Sequence, residues 1–170
     1  NASGRFDALD RAVRENDGRR CIFFGLGWTL FERSWLLHGF EDLLRDMHMR
    51  PRFVERLMDR VVEYDIEILK QGLERNVDVC HFGDDLGSRQ GPLISPSLWR
   101  RFLKPRFSRI FDIPKGKGLP ISMHSDGNIT ALIPDIVDLG VRVINPVSPL
   151  EVDPVWLKET YGDKVCLYGT

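Results

Sequence analysis

The chain alternates short apolar strands with amphipathic helices and shows no hairpin turn signal between any two strands. That pattern constrains the fold more than any other feature. Parallel strands need a crossover of a dozen or more residues, usually a helix, whereas antiparallel neighbours can be joined by tight turns. The strand segments are Arg20–Phe24, Asn76–Phe82, Pro120–Met123, Val141–Ile144 and Lys164–Tyr168, and the last of them begin roughly 20 residues apart, as compact strand-helix-strand units require. Their runs are continuously apolar, the mark of strands covered in a parallel sheet. Five such strands fit either an open doubly wound sheet or part of a (β/α)8 barrel.

The helical segments carry their own punctuation. A modest amphipathic helix, Phe6 to Val13, ends at Asn16-Asp17-Gly18, and a second pattern from Phe31 to Met47 is interrupted at His38-Gly39. Pro51 opens the longest helix, with Val54, Leu57, Met58, Val61, Val62, Ile68 and Leu69 on one face and Arg52, Glu55, Arg56, Arg60 and Glu63 on the other. Ser95-Pro96 starts a helix that Pro105 is expected to kink, and Asp153-Pro154 caps the helix Val155 to Tyr161.

The strands end in polar or glycine-rich turns: Gly25-Leu26-Gly27-Trp28, Gly83-Asp84-Asp85, His124-Ser125-Asp126 and Asn145-Pro146. Parallel α/β folds keep their chemistry at these carboxyl ends. His124 and Asp126 stand at i and i+2, so they project to one side, toward whatever lies beyond the strand's carboxyl end; His124 could equally be a satisfied core histidine. Asp126 or Asn128 could equally cap the following apolar-periodic run, Ile129 to Val137. Adjacent carboxylates at 84 and 85 repel unless a cation, an arginine or a proton separates them, which makes Asp84 and Asp85 candidate catalytic residues beside His124. Gly25, Gly27 and Trp28 at the first strand's end, with Arg89 and Asn145, form the candidate substrate-binding set. Gly25-x-Gly27 lacks the third glycine of a dinucleotide fingerprint, because position 30 is Leu, and that reading is rejected.

Composition narrows the function classes. Lys and Arg number 24 against 25 acidic residues, so the basic excess of a nucleic-acid-binding domain is missing. No apolar run reaches the length of a membrane span, and the start has no signal-peptide pattern, so a cytoplasmic location is expected. Cys21, Cys80 and Cys166 each fall in a strand and in no C-x-x-C pair, which predicts buried free thiols rather than a disulfide framework.

The segments Gly83 to Arg106, His124 to Val147 and Tyr161 to Gly169, in that order, resemble the uroporphyrinogen decarboxylase superfamily, which also contains corrinoid-linked methyltransferases. The resemblance implies a (β/α)8 barrel of which residues 1–170 cover about the third to the seventh strand, the others lying outside this sequence. Taken alone, such an open parallel sheet exposes unpaired edges and is expected to associate.

Two departures from the family pattern shape the functional expectation. The decarboxylases carry Phe-Asp-Ser-Trp at the fourth strand where this chain has Phe82-Gly83-Asp84-Asp85, and thiol-activating methyltransferases carry His-x-Cys where it has His124-Ser125-Asp126. The resemblance therefore implies a methyltransferase-like enzyme acting on a small methyl donor or acceptor. Zinc would be held by His124 and Asp126, with a corrinoid carried by a partner protein. The alternatives are a metal-free decarboxylase acting on a tetrapyrrole, with Arg89 as a cation for its carboxylates, and a non-catalytic tetrapyrrole- or corrinoid-binding module. A homodimer is a further expectation.

Overall fold

The computed structural model describes residues 3–169, and within them five strands form one sheet. The strands are β1 (Phe23–Leu26), β2 (Val79–Gly83), β3 (Ile121–His124), β4 (Val141–Asn145) and β5 (Cys166–Leu167). All four pairings are parallel and the spatial order is the sequence order, β1-β2-β3-β4-β5. A doubly wound sheet reverses its strand order at a switch point and places helices on both faces. This sheet has no reversal, and its two faces differ. Phe24, Leu26, Cys80, Phe82, Ile121, Met123 and Ile144 lie buried on one face. On the other, Phe23 is 46 % exposed, and Gly25 and Cys166 are also open. The arrangement is part of a (β/α)8 barrel, with a helix-covered outer face and a lumen face.

The outer layer follows the expected elements with three informative differences. Helix α1 (Asp7–Glu15) precedes β1, while α2 (Phe31–His38), α3 (Phe40–Met49) and α4 (Pro51–Gly72) join β1 to β2. Gly39, at φ 98°, separates α2 from α3, in the left-handed region where glycine costs least. Helix α4 buries Val54, Met58, Val61, Val62, Ile68 and Leu69, each worth about 1.5–3 kcal/mol when fully withdrawn from water. It ends at Gly72, where a Cβ would lie 2.1 Å from the Phe24 ring, so glycine lets the helix reach β1 this closely.

The first difference lies between β2 and β3. Instead of one kinked helix there is a short turn α5 (Pro96–Leu98), a π-helical turn over Trp99–Leu103, and then α6 (Lys104–Lys115). Ser95 caps α5 as expected, its Oγ accepting from the Leu98 N–H. Pro105 falls in the first turn of α6, where its missing N–H costs nothing, and the wide turn before it keeps Trp99, Phe102 and Leu103 buried. The second concerns α7 (Ile133–Asp138), which starts later than the apolar period suggests, after a turn over Ile129–Leu132. Asn128 Oδ1 accepts from the Thr130 N–H there, which leaves Asp126 free for another role. Helix α8 (Pro154–Tyr161) is capped by Asp153 as expected.

The third difference corrects the thiols. Only Cys80 is buried; Cys21 and Cys166 are exposed, because Cys21 precedes β1 and Cys166 faces the lumen side of β5. Among the described residues no helix is long and apolar enough to cross a membrane.

Candidate active site

Parallel register brings the strand ends level. Gly83 pairs with His124, and His124 with Asn145, so the turns after β2, β3 and β4 meet at one rim. The β2 and β3 turns touch through their backbones. Asn128 N–H donates to Ser88 O at 2.7 Å, and a Cβ on Gly87 would lie 2.6 Å from the Gly127 carbonyl carbon. Glycine at both positions is therefore a condition of the contact, and the contact sets the spacing of Asp85 and Asp126.

Asp85, His124 and Asp126 each offer a ligand atom, and these atoms lie within 4.8 Å of one another. His124 Nε2 is 3.6 Å from Asp85 Oδ1 and 3.7 Å from Asp126 Oδ1, while Asp85 Oδ1 accepts from the Asp126 N–H at 2.9 Å. On the other side of the ring His124 Nδ1 meets Asn145 Oδ1 at 2.8 Å. Asn145 spends its amide N–H on Tyr168 O, so its oxygen must accept and His124 Nδ1 must carry the proton. In the neutral ring, Nε2 then turns a lone pair toward two carboxylate oxygens. That arrangement repels itself unless a cation or a second proton lies between the groups. One nitrogen and two oxygens, with the nitrogen's ring held from behind by an amide, are a donor set that could hold a zinc ion and leave room for a further ligand.

The two aspartates after β2 do different things, which corrects the expectation for Asp84. Both follow the end of β2, and their carboxylates serve different partners, Asp84 the start of α2 and Asp85 the Asp126 N–H. Asp84 is fully buried, with Oδ2 accepting from the N–H groups of Leu30 and Phe31 and Oδ1 from Glu32. It caps α2, whose own N-cap position is Leu30 and offers no side-chain acceptor. Burial raises its carboxyl to about 7 against the pull of those three donors. Asp84 thus anchors the start of α2 and does not face the lumen; Asp85 does.

Asn145, a candidate substrate residue, has its side-chain oxygen on His124 Nδ1 and its amide on Tyr168 O. Gly25 lies within β1, level with His81, and Gly27 and Trp28 follow the strand toward the rim, with Trp28 61 % exposed at φ 50°; Arg89 is exposed on the turn closed by Ser88 and Gly91. Among the described residues no hydrogen bond or ion pair ties Gly25, Gly27, Trp28 or Arg89 to the cluster.

Sequence reasoning passed over Glu32 and His81. Glu32, nearly buried in the first turn of α2, accepts from the Asp85 N–H at 3.1 Å; burial raises its carboxyl, and the charges of Asp85 and Asp126 push the same way. His81 lies on the lumen face of β2, with its ring 6.4 Å from that of His124. Burial, and then His124, lowers its basicity. Neither carried a local signal, since their partners lie dozens of residues away. A groove of about 840 Å³ runs along α8 and β5 past Pro154, Lys158 and Leu167, and is the open edge of the sheet rather than part of this cluster.

The imidazole and carboxylates gather at the strands' carboxyl ends, the rim where (β/α)8 barrels keep their chemistry. Residues 11–170 match the uroporphyrinogen decarboxylase (URO-D) family, and the chain belongs to it. No curated protein matches the sequence. Among solved structures, a methyltransferase from Methanosarcina mazei is similar in fold, with a TM-score of 0.80 and 19% sequence identity, over 96% of this chain and 47% of that one. The chain therefore spans about half the length of that structure.

Proposed function

We propose that the chain carries the metal-binding half of a zinc-dependent methyltransferase of the URO-D family, one that moves a methyl group between a small donor and a corrinoid held by a partner protein. The observation that carries the reading is the convergence of Asp85, His124 and Asp126 within 4.8 Å, with Nε2 turned toward both carboxylates. The likeness to the M. mazei methyltransferase fold supports it.

Asp85, His124 and Asp126 would hold the zinc. Bound to mostly oxygen donors, zinc supplies stronger Lewis acidity than a thiolate-rich site does and suits an oxygen-linked group better than a soft thiol. The chain's own residues prepare that site. Asn145 fixes the His124 tautomer, Glu32 holds the Asp85 backbone, and Asp84 secures the helix that presents Glu32. Phe23 lines the lumen with apolar surface, which favours exclusion of water from a transferring methyl group.

Metal analysis of the full-length protein tests the reading. Stoichiometric zinc in the wild type and its loss in His124→Ala are expected; no zinc in either would end it. The family description names a decarboxylase, so incubation of the full-length protein with uroporphyrinogen is the companion assay. Formation of coproporphyrinogen would replace the methyl-transfer reading with metal-free decarboxylation.

A further inference from the structure

The lumen face below the metal cluster holds a second imidazole with one side committed and one side open. His81 Nδ1 lies 2.9 Å from Ser122 Oγ, its register partner on β3. Ser122 is fully buried, and among the described residues this is its side-chain hydroxyl's only hydrogen bond. If Nδ1 carried the proton and donated, the buried hydroxyl hydrogen would be left without an acceptor, at a cost of about 1–3 kcal/mol. The hydroxyl therefore donates, Nδ1 accepts, and the ring's proton sits on Nε2. Among the described residues Nε2 has no partner, and it is not sealed from solvent.

The surroundings give that N–H a place to act. On the β1 side His81 pairs with Gly25, which has no side chain to fill the space beside the ring. A Cβ there would come within 2.8 Å of the His81 carbonyl oxygen and 3.1 Å of its Cβ, so glycine keeps β1 and β2 flush at this level. Phe23, 46 % exposed, meets the His81 ring edge-on at 6.3 Å and forms the apolar wall next to it.

We propose that His81, set by Ser122 as an Nε2–H donor over the Gly25 gap, binds an oxygen atom of the substrate on the lumen floor beside the His124 cluster. The identity of that oxygen as part of a methyl donor rests on the methyl-transfer reading; the donor state of His81 does not. An oxygen-linked methyl donor gains the bond, and a sulfur-linked one, whose sulfur is a weak acceptor, gains little. His81 would be a binding and specificity residue, with no part in holding zinc.

Two measurements on the full-length protein decide the matter. Nitrogen-15 NMR of labelled histidine, with the His81 signals assigned by their loss in H81Q, reads the tautomer: Nε2–H is expected, and Nδ1–H overturns the proposal. Methyl-transfer kinetics with methanol and with dimethyl sulfide as probes read the role. His81→Ala should raise KM for methanol about tenfold or more, leave KM for dimethyl sulfide and the zinc content unchanged, and be partly rescued by H81Q, whose amide can donate. An equal loss with both probes, no loss with methanol, or loss of zinc overturns it. If the wild type turns over neither probe, the methyl-transfer reading is what fails, and the NMR result alone decides the assignment of His81.

Discussion

Replacing Asp84 separates an anchoring role from a catalytic one. Among the described residues its carboxylate is the only acceptor for the Leu30, Phe31 and Glu32 N–H groups at the start of α2, and it is fully buried. In Asp84→Ala all three donors lose their partner with no water to replace it. At about 1–3 kcal/mol for each unsatisfied buried donor, the cost is on the order of 3–9 kcal/mol, comparable with the whole stability of an ordinary domain. Asp84→Asn keeps one oxygen and should forfeit one or two of the three bonds, roughly 1–6 kcal/mol. Urea unfolding of the full-length protein measures both. The variants should rank wild type, Asn, Ala in midpoint, with little change in slope. An Asp84→Ala protein within about 1 kcal/mol of wild type that has lost turnover would refute the anchoring argument and return Asp84 to the catalytic set.

Two further predictions follow from neighbouring features. Asp65 on α4 is fully buried, neither carboxylate oxygen has a hydrogen-bond partner among the described residues, and Arg33 Nε is 3.7 Å away; burial raises its carboxyl to about 8. A folded-state pKa above the unfolded one stabilises at low pH, and that contribution is lost as pH rises from about 4 through about 8, on the order of 5 kcal/mol at most. Asp65→Asn should flatten the pH dependence of the full-length protein's melting temperature in that window and raise its stability at pH 8; lower stability at every pH would show that the Arg33 pairing outweighs desolvation. Gly87→Ala puts a Cβ against the Gly127 backbone and should cost about 1–3 kcal/mol while weakening zinc binding at least tenfold, because Asp85 and Asp126 are moved apart. An unchanged zinc affinity by competitive titration would refute the claim that the loop contact spaces the two ligands.

Legibility varied by residue. His124 and Asp126 could be paired from the sequence because strand geometry fixes i and i+2 on one side whatever the fold around them. Asp84 and Asp85 could not be told apart. Their carboxylates serve different partners, and which of them faces inward depends on where α2 begins and lacks its own cap, more than fifty residues earlier in the chain. Asn145 was visible as a strand-end polar residue, but its role came from the parallel pairing with His124 and from Tyr168 O occupying its amide. The cysteines were placed in or beside strands yet misjudged for burial, since a strand segment does not state which face a closed helix layer covers.

What the amino-acid order determined alone was the series of parallel strands, their carboxyl-terminal turns and the local pair at 124 and 126, because backbone periodicity and turn chemistry act over a few neighbouring residues. The tertiary structure decided which face became lumen, which aspartate was buried, and how Glu32, His81 and Ser122 joined the site. Those outcomes depend on strand register and on desolvation, and both are set by contacts between segments that are far apart in the chain.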